Sequence, residues 1–163
     1  MKTLYLFRHA KSDWDAGFGT DFERPLSKRG QGAASTMGEF LGSADKMPNL
    51  ILCSSAVRTR KTLQRASKAG GWGREVEYLD ELYTGNTLHV LRVIREVSTH
   101  VGSLMIVGHE TAMSETTSLI IGHGNVRFPT AAVACMELEV RRWADVEPGC
   151  GRLLFFVPPR LLG

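Results

Sequence analysis

The chain has 163 residues, with 20 Lys and Arg against 17 Asp and Glu and 43% apolar content, enough for one hydrophobic core without disulfides or a structural metal. A formal charge of +3 is too small to argue for nucleic acid. Cys53, Cys135 and Cys150 are odd in number and form no Cys-x-x-Cys pair, which speaks against a disulfide framework and a zinc site and fits a reducing compartment.

In chain order, residues 4–7 are a short apolar run bounded by polar residues, which predicts a buried strand. One Lys and this short run precede Arg8 and His9, so the start reads as neither a signal peptide nor a membrane span, and the expected location is the cytoplasm. Residues 11–26, with Gly17, Gly19 and Pro25, form one long irregular stretch, and loops of that length in compact domains are more often functional than idle. Ser27 is the expected N-cap of a helix over 28–41, and Ser55 of one over 56–69. Between them residues 50–53 read as a second buried strand. Residues 75–79 are expected as a half-buried strand with Val76 and Tyr78 on one face.

Thr87 is the expected cap of a helix over 88–97, followed by a buried strand at 104–107 and a helix at 111–121. Strands at 131–140 and 153–157 close the chain as a hairpin-like or edge extension, separated by Pro148, Gly149 and Gly151. Strands alternating with helices predict an α/β layered fold with a largely parallel sheet. No repeat, low-complexity tract or boundary divides residues 1–163, so a single domain is expected.

Ligands of open α/β sheets bind at the carboxyl ends of the strands. Here the first strand runs into Arg8 and His9, the second into Ser54, Ser55 and Arg58, the third into Asp80 and Glu81, and the fourth into Gly108 and His109. Two Arg, two His and an acidic pair are therefore expected at one sheet edge. Arg58, Arg60 and Lys61 oppose the dipole of their helix, and an anion bound at that end would reverse the penalty. Arg58 and Arg60 point in nearly opposite directions, and Arg58 sits closest to the strand end. Two Arg and two His around one point suit a phosphoryl dianion, because guanidinium forks match phosphate oxygens. Two Arg also repel a cation, so no metal and no cofactor is expected. A neutral imidazole there can attack phosphorus through one nitrogen while the other holds the ring by a hydrogen bond.

The run Leu6, Phe7, Arg8, His9, Ala10, Lys11, Ser12, with Arg58 after a Ser-Ser turn and the late Val107, Gly108, His109, resembles the histidine phosphatase superfamily, whose signature is Arg-His-Gly. The fuller pattern over residues 8–14, 24–30, 54–62, 79–83, 128–133 and 143–153 resembles its SixA-type phosphohistidine phosphatase branch. The resemblance implies a phosphoglycerate mutase-like three-layer α/β/α sandwich without a cap domain. It implies His9 as the phosphorylated nucleophile, Arg8 and Arg58 as phosphate ligands, and His109 as a second phosphate ligand that stabilises the transition state. Glu81 lies near the place where many members of the superfamily carry a general acid, and Ala10 replaces the signature glycine. Lys11 and Arg24 are further candidate substrate contacts.

The leading expectation is a metal-independent phosphatase acting on a phosphohistidine-bearing protein, since a chain this short leaves little to cover the site. The alternatives are a phosphatase of small phosphorylated metabolites and a phosphate-binding regulatory module without turnover. Neither nucleic acid nor membrane is an expected partner.

Overall fold

The computed structural model describes residues 1–163. Its strands are β1 (Lys2–Arg8), β2 (Leu50–Ser54), β3 (Glu75–Leu79), β4 (Ser103–Gly108), β5 (Val133–Leu138) and β6 (Gly151–Val157). They form one sheet in the order β3-β2-β4-β1-β5-β6, parallel from β3 to β1 and antiparallel at β1–β5 and β5–β6. The last two strands are thus the edge extension expected from the sequence.

Alternation along the strands builds two cores, because successive side chains point to opposite faces. Leu4 and Leu6 of β1 and Leu104 and Ile106 of β4 enter one cluster, packed under α4 (Thr87–Arg95) and α5 (Ala112–Ile120). Tyr5 and Phe7, with Met105 and Val107, enter the other, beneath α1 (Lys28–Ser43) and α2 (Val57–Gly70). The result is a three-layer α/β/α sandwich of phosphoglycerate mutase-like type with no cap. No helix is long and apolar enough to cross a membrane.

Helices α1 and α2 meet at glycines. A Cβ on Gly38 would stand 2.1 Å from the Ala66 carbonyl oxygen, and one on Gly70 equally close to that of Gly38, so this crossing admits no side chain at either position. The cap of α1 is Ser27, whose hydroxyl accepts from the Gly30 N–H at 3.0 Å. The other two caps differ from expectation. Asn86, one residue before Thr87, caps α4 by accepting from Leu88 N–H at 3.0 Å. Ser55 caps nothing: its hydroxyl donates to Asp80 Oδ1 at 2.5 Å, and α2 begins after Ala56. Tyr78 is more exposed than a half-buried strand predicts because β3 is a sheet edge, and its ring instead carries the Arg60 guanidinium at 4.9 Å. Trp143, in the segment read as a connection, is fully buried and donates its indole N–H to the Val101 carbonyl at 2.8 Å.

Candidate active site

The site begins where β1 and β4 end side by side. Their register pairs Arg8 with Gly108, so His9 and His109 leave adjacent parallel strands at the same level, with ring centroids 5.2 Å apart. The chain entering β5 arrives at the same edge because β5 runs antiparallel. Ala131 N–H donates to the His9 carbonyl at 3.1 Å, and Arg8 Nη1 donates to the Phe128 carbonyl at 2.8 Å. The first turn of α2 adds Arg58, which is 6% exposed, while Arg60 turns away to Tyr78.

Residues 11–26 form the wall. Ser27 holds the Lys11 carbonyl through both its N–H (2.9 Å) and its hydroxyl (3.0 Å). A Cβ on Gly30 would lie 2.1 Å from that same oxygen, so the start of α1 needs glycine for the loop to sit against it. A short 3-10 turn at Asp21–Glu23 leans over Arg58. Arg24, 6% exposed, donates to Ser12 Oγ and to Asp21 Oδ1, and the face of the Trp14 ring lies 3.6 Å from its guanidinium carbon.

The open cavity so formed measures about 620 Å³ and is lined by Arg8, His9, Lys11, Arg24, Arg58 and His109 among others. Six of the seven residues singled out from the sequence therefore converge. The seventh, Glu81, does not. It opens the four-residue helix α3 (Glu81–Thr84) and turns outward to pair with Arg92 at 2.5 Å, outside the cavity. Its neighbour Asp80 is taken by Ser55. The carboxylates that do reach the cavity are Asp21 and Glu110, which sequence reading did not single out. Tyr83, Trp14 and Ser54 were likewise present only as parts of longer patterns. The loop length was the one signal pointing toward Asp21.

Hydrogen bonding orients both imidazoles and fixes the tautomer of His9. His9 Nδ1 lies 2.7 Å from the Ala10 carbonyl oxygen, which can only accept, so Nδ1 carries the proton. Nε2 keeps its lone pair and has no protein partner. Ala10 itself is fully buried with an ordinary negative φ, and its N–H donates to Thr62 Oγ1 at 2.9 Å, so alanine fits where the signature has glycine. His109 Nε2 lies 2.8 Å from Ser54 Oγ, whose second contact is as acceptor from Ala56 N–H. The Ser54 hydroxyl thus anchors the His109 ring through Nε2, while Nδ1 has no partner in the protein.

Burial is the main force holding the His9 imidazole down to a pKa of about 3; the Ala10 carbonyl opposes it, and His109, Arg58 and Arg8 reinforce it. Burial likewise lowers His109 to about 4, helped by Arg58. Both rings are neutral at neutral pH. Four buried nitrogen atoms of cavity-lining residues lack a partner in the protein: Arg8 Nε, Arg24 Nε, Arg58 Nε and His109 Nδ1. Buried polar groups are nearly always satisfied, and an unpaired charged donor costs more than a neutral one. The cavity these residues line carries Arg8, Lys11, Arg24 and Arg58 against Asp21 and Glu110, a setting that favours a ligand with acceptor oxygens and negative charge.

An α/β sandwich with two arginines and two histidines gathered at its strand ends has the chemistry to suit a compact oxyanion. The chain belongs to the histidine phosphatase superfamily, branch 1, whose family model matches residues 4–86. A SixA structure from Agrobacterium tumefaciens is 31% identical, covers 97% of this chain and 98% of its own, and superposes with a TM-score of 0.82. The protein histidine phosphatase SixA complexed with tungstate shares the fold over 99% of both chains, at a TM-score of 0.84 and 21% identity. An uncharacterized Mycobacterium tuberculosis protein is 33% identical over 94% of this chain and 99% of its own length. An uncharacterized chloroplastic protein of Arabidopsis thaliana is 31% identical over 97% of this chain and 78% of its own.

Proposed function

We propose that this protein is a metal-independent phosphatase in which His9 takes a phosphoryl group and passes it to water, with protein-borne phosphohistidine as substrate. The observation that carries the reading is the convergence of Arg8, Arg58 and His109 on the cavity that holds His9, whose Nε2 has no partner in the protein. Tungstate in a relative of the same fold is also a tetrahedral oxyanion.

In the first step the Nε2 lone pair of His9 bonds to phosphorus as the substrate P–N bond breaks, and that electron pair stays on the substrate nitrogen. When the far nitrogen of the substrate ring is protonated, it departs as neutral imidazole. The Ala10 carbonyl, accepting from Nδ1, stabilises the positive charge that grows on the His9 ring. Arg8, Arg58 and His109 oppose the charge on the equatorial oxygens. In the second step a water oxygen bonds to phosphorus, the Nε2–P bond breaks and its pair returns to His9, releasing inorganic phosphate. The cationic walls favour this route over one that seats a metal ion beside them.

Two features support an N-linked substrate on a protein. An alcohol leaving group needs a proton donor, yet Asp21 is ion-paired to Arg24 and Arg58, and Glu110 Oε1 accepts from Ser114 N–H at 2.8 Å. A protonated imidazole needs none. The absence of a cap leaves the cavity open to a side chain carried on another protein. The three cysteines are all unpaired, in keeping with a reducing compartment such as the cytoplasm.

The test compares dephosphorylation of a phosphohistidine carrier protein, an aryl phosphate and sugar phosphates by the parent and by His9→Ala. The proposal expects the carrier protein to be fastest and His9→Ala to be inert. Sugar phosphates turned over faster would point to a metabolite phosphatase instead.

A further inference from the structure

We infer that Trp14 is a specificity-determining residue, a platform on which the planar ring of the leaving group stacks. The inference rests on the phosphatase reading above and concerns which leaving groups the same site prefers. Trp14 and Tyr83 are the two apolar side chains on the walls of an otherwise polar cavity. Tyr83 is already engaged. Its ring meets His109 edge-on at 5.7 Å and Phe22 at 5.1 Å, and its hydroxyl donates to Asp21 at 2.9 Å.

Trp14 is different. It is 64% exposed, although indole is among the most costly surfaces to leave in water. One face is covered by the Arg24 guanidinium, and Arg24 is itself fixed by Ser12 and Asp21, so the indole is backed by a rigid partner. Much of the ring nevertheless remains exposed, and Trp14 is part of the lining of the cavity that holds His9. Nothing in the fold uses that surface.

In the proposed reaction the leaving group departs within the same open cavity whose lining includes Trp14. In-line attack puts the departing atom opposite Nε2, and in phosphohistidine or an aryl phosphate a flat ring stands within one or two bonds of phosphorus. A ring stacked on Trp14 gains contact area at little entropic cost, and aromatic pairs contribute beyond area alone. A protonated imidazole adds cation–π attraction. Glycerol phosphate offers neither.

The experiment measures kcat/KM for phosphohistidine, phenyl phosphate and glycerol phosphate with the parent, Trp14→Ala and Trp14→Phe. For Trp14→Ala the loss on the two ring substrates is expected to exceed the loss on glycerol phosphate by roughly three- to tenfold, with Trp14→Phe recovering most of it. An equal loss on all three substrates would reduce Trp14 to a support for Arg24 and overturn the inference, leaving the phosphatase reading intact. No loss on any of them overturns it too. A parent enzyme that prefers glycerol phosphate, with activity abolished by His9→Ala, contradicts both the platform and the phosphohistidine substrate.

Discussion

Arg58 gives both of its terminal nitrogens to Asp21: Nη1 to the backbone carbonyl at 2.8 Å and Nη2 to Oδ2 at 3.1 Å. The same carboxylate receives Arg24 at 3.0 Å and the Tyr83 hydroxyl at 2.9 Å. Partial burial pushes its pKa up, but the bonds from Arg24, Tyr83 and Arg58 prevail and hold it at about 2. A fixed negative charge thus orients two cavity-lining guanidiniums, and in the proposed mechanism it would compete with the phosphoryl group for them. Asp21→Asn keeps the backbone contact and removes the charge. Inorganic phosphate is expected to inhibit this variant more strongly, by roughly three- to tenfold, and kcat to fall as Arg58 loses its restraint. Inhibition constants and kcat measured together check this; weaker phosphate inhibition would mean that orientation outweighs charge.

Glu81 tests the other side of the site. Its carboxylate is committed to Arg92 and lies outside the cavity, so Glu81→Gln is expected to change kcat/KM on a phosphohistidine protein by less than about twofold. A loss of several orders of magnitude would show that α3 swings inward during turnover.

Thr62 ties the nucleophile loop to α2, accepting from Ala10 N–H at 2.9 Å and donating to the Arg58 carbonyl at 2.7 Å. Thr62→Val leaves a fully buried N–H without a partner. Chemical denaturation should find the variant less stable by about 1–3 kcal/mol. Its kcat should fall as well, because the Ala10 carbonyl that orients His9 belongs to the residue set free.

The two neutral histidines make stability depend on pH. Unfolded, each imidazole takes a proton near 6.5; folded, they resist protonation until about 3 for His9 and about 4 for His109. Between those values the unfolded chain binds more protons, so stability is full above pH 6.5 and falls as pH drops toward 4. The slope is at most about 1.4 kcal/mol per pH unit for each histidine. Denaturation midpoints between pH 7 and 4 should flatten in His9→Asn, and an unchanged slope would mean that the ring is charged in the folded protein.

Much of this was legible in the order of residues. Arg8 and His9 directly follow an apolar run, His109 follows one after a single glycine and Arg58 stands in the first turn of the helix after another, and strand ends in a parallel sheet share one edge, so the pattern brings them together. Glu81 obeyed the same rule yet left the site, because the short helix it opens aims it at Arg92, eleven residues on, a partner no local pattern reveals. Asp21 was hidden for a related reason. It sits in an irregular loop whose path depends on contacts with Arg58 and Tyr83, 37 and 62 residues away. Trp143 read as loop because Pro148 and Gly149 break the chain nearby, while its burial depends on α4 and on the Val101 carbonyl just before β4. The capping error at Ser55 arose from Asp80, which took a hydroxyl that local rules assign to the helix.

The central claim is that phosphorus is bonded to His9 Nε2 during turnover, and rapid quench of the enzyme with radiolabelled phosphohistidine carrier protein tests it most directly. The account predicts a base-stable, acid-labile label on the parent, mapped to His9 and absent from His9→Ala. Turnover of the carrier with no trapped label, or the same label on His9→Ala, would contradict it.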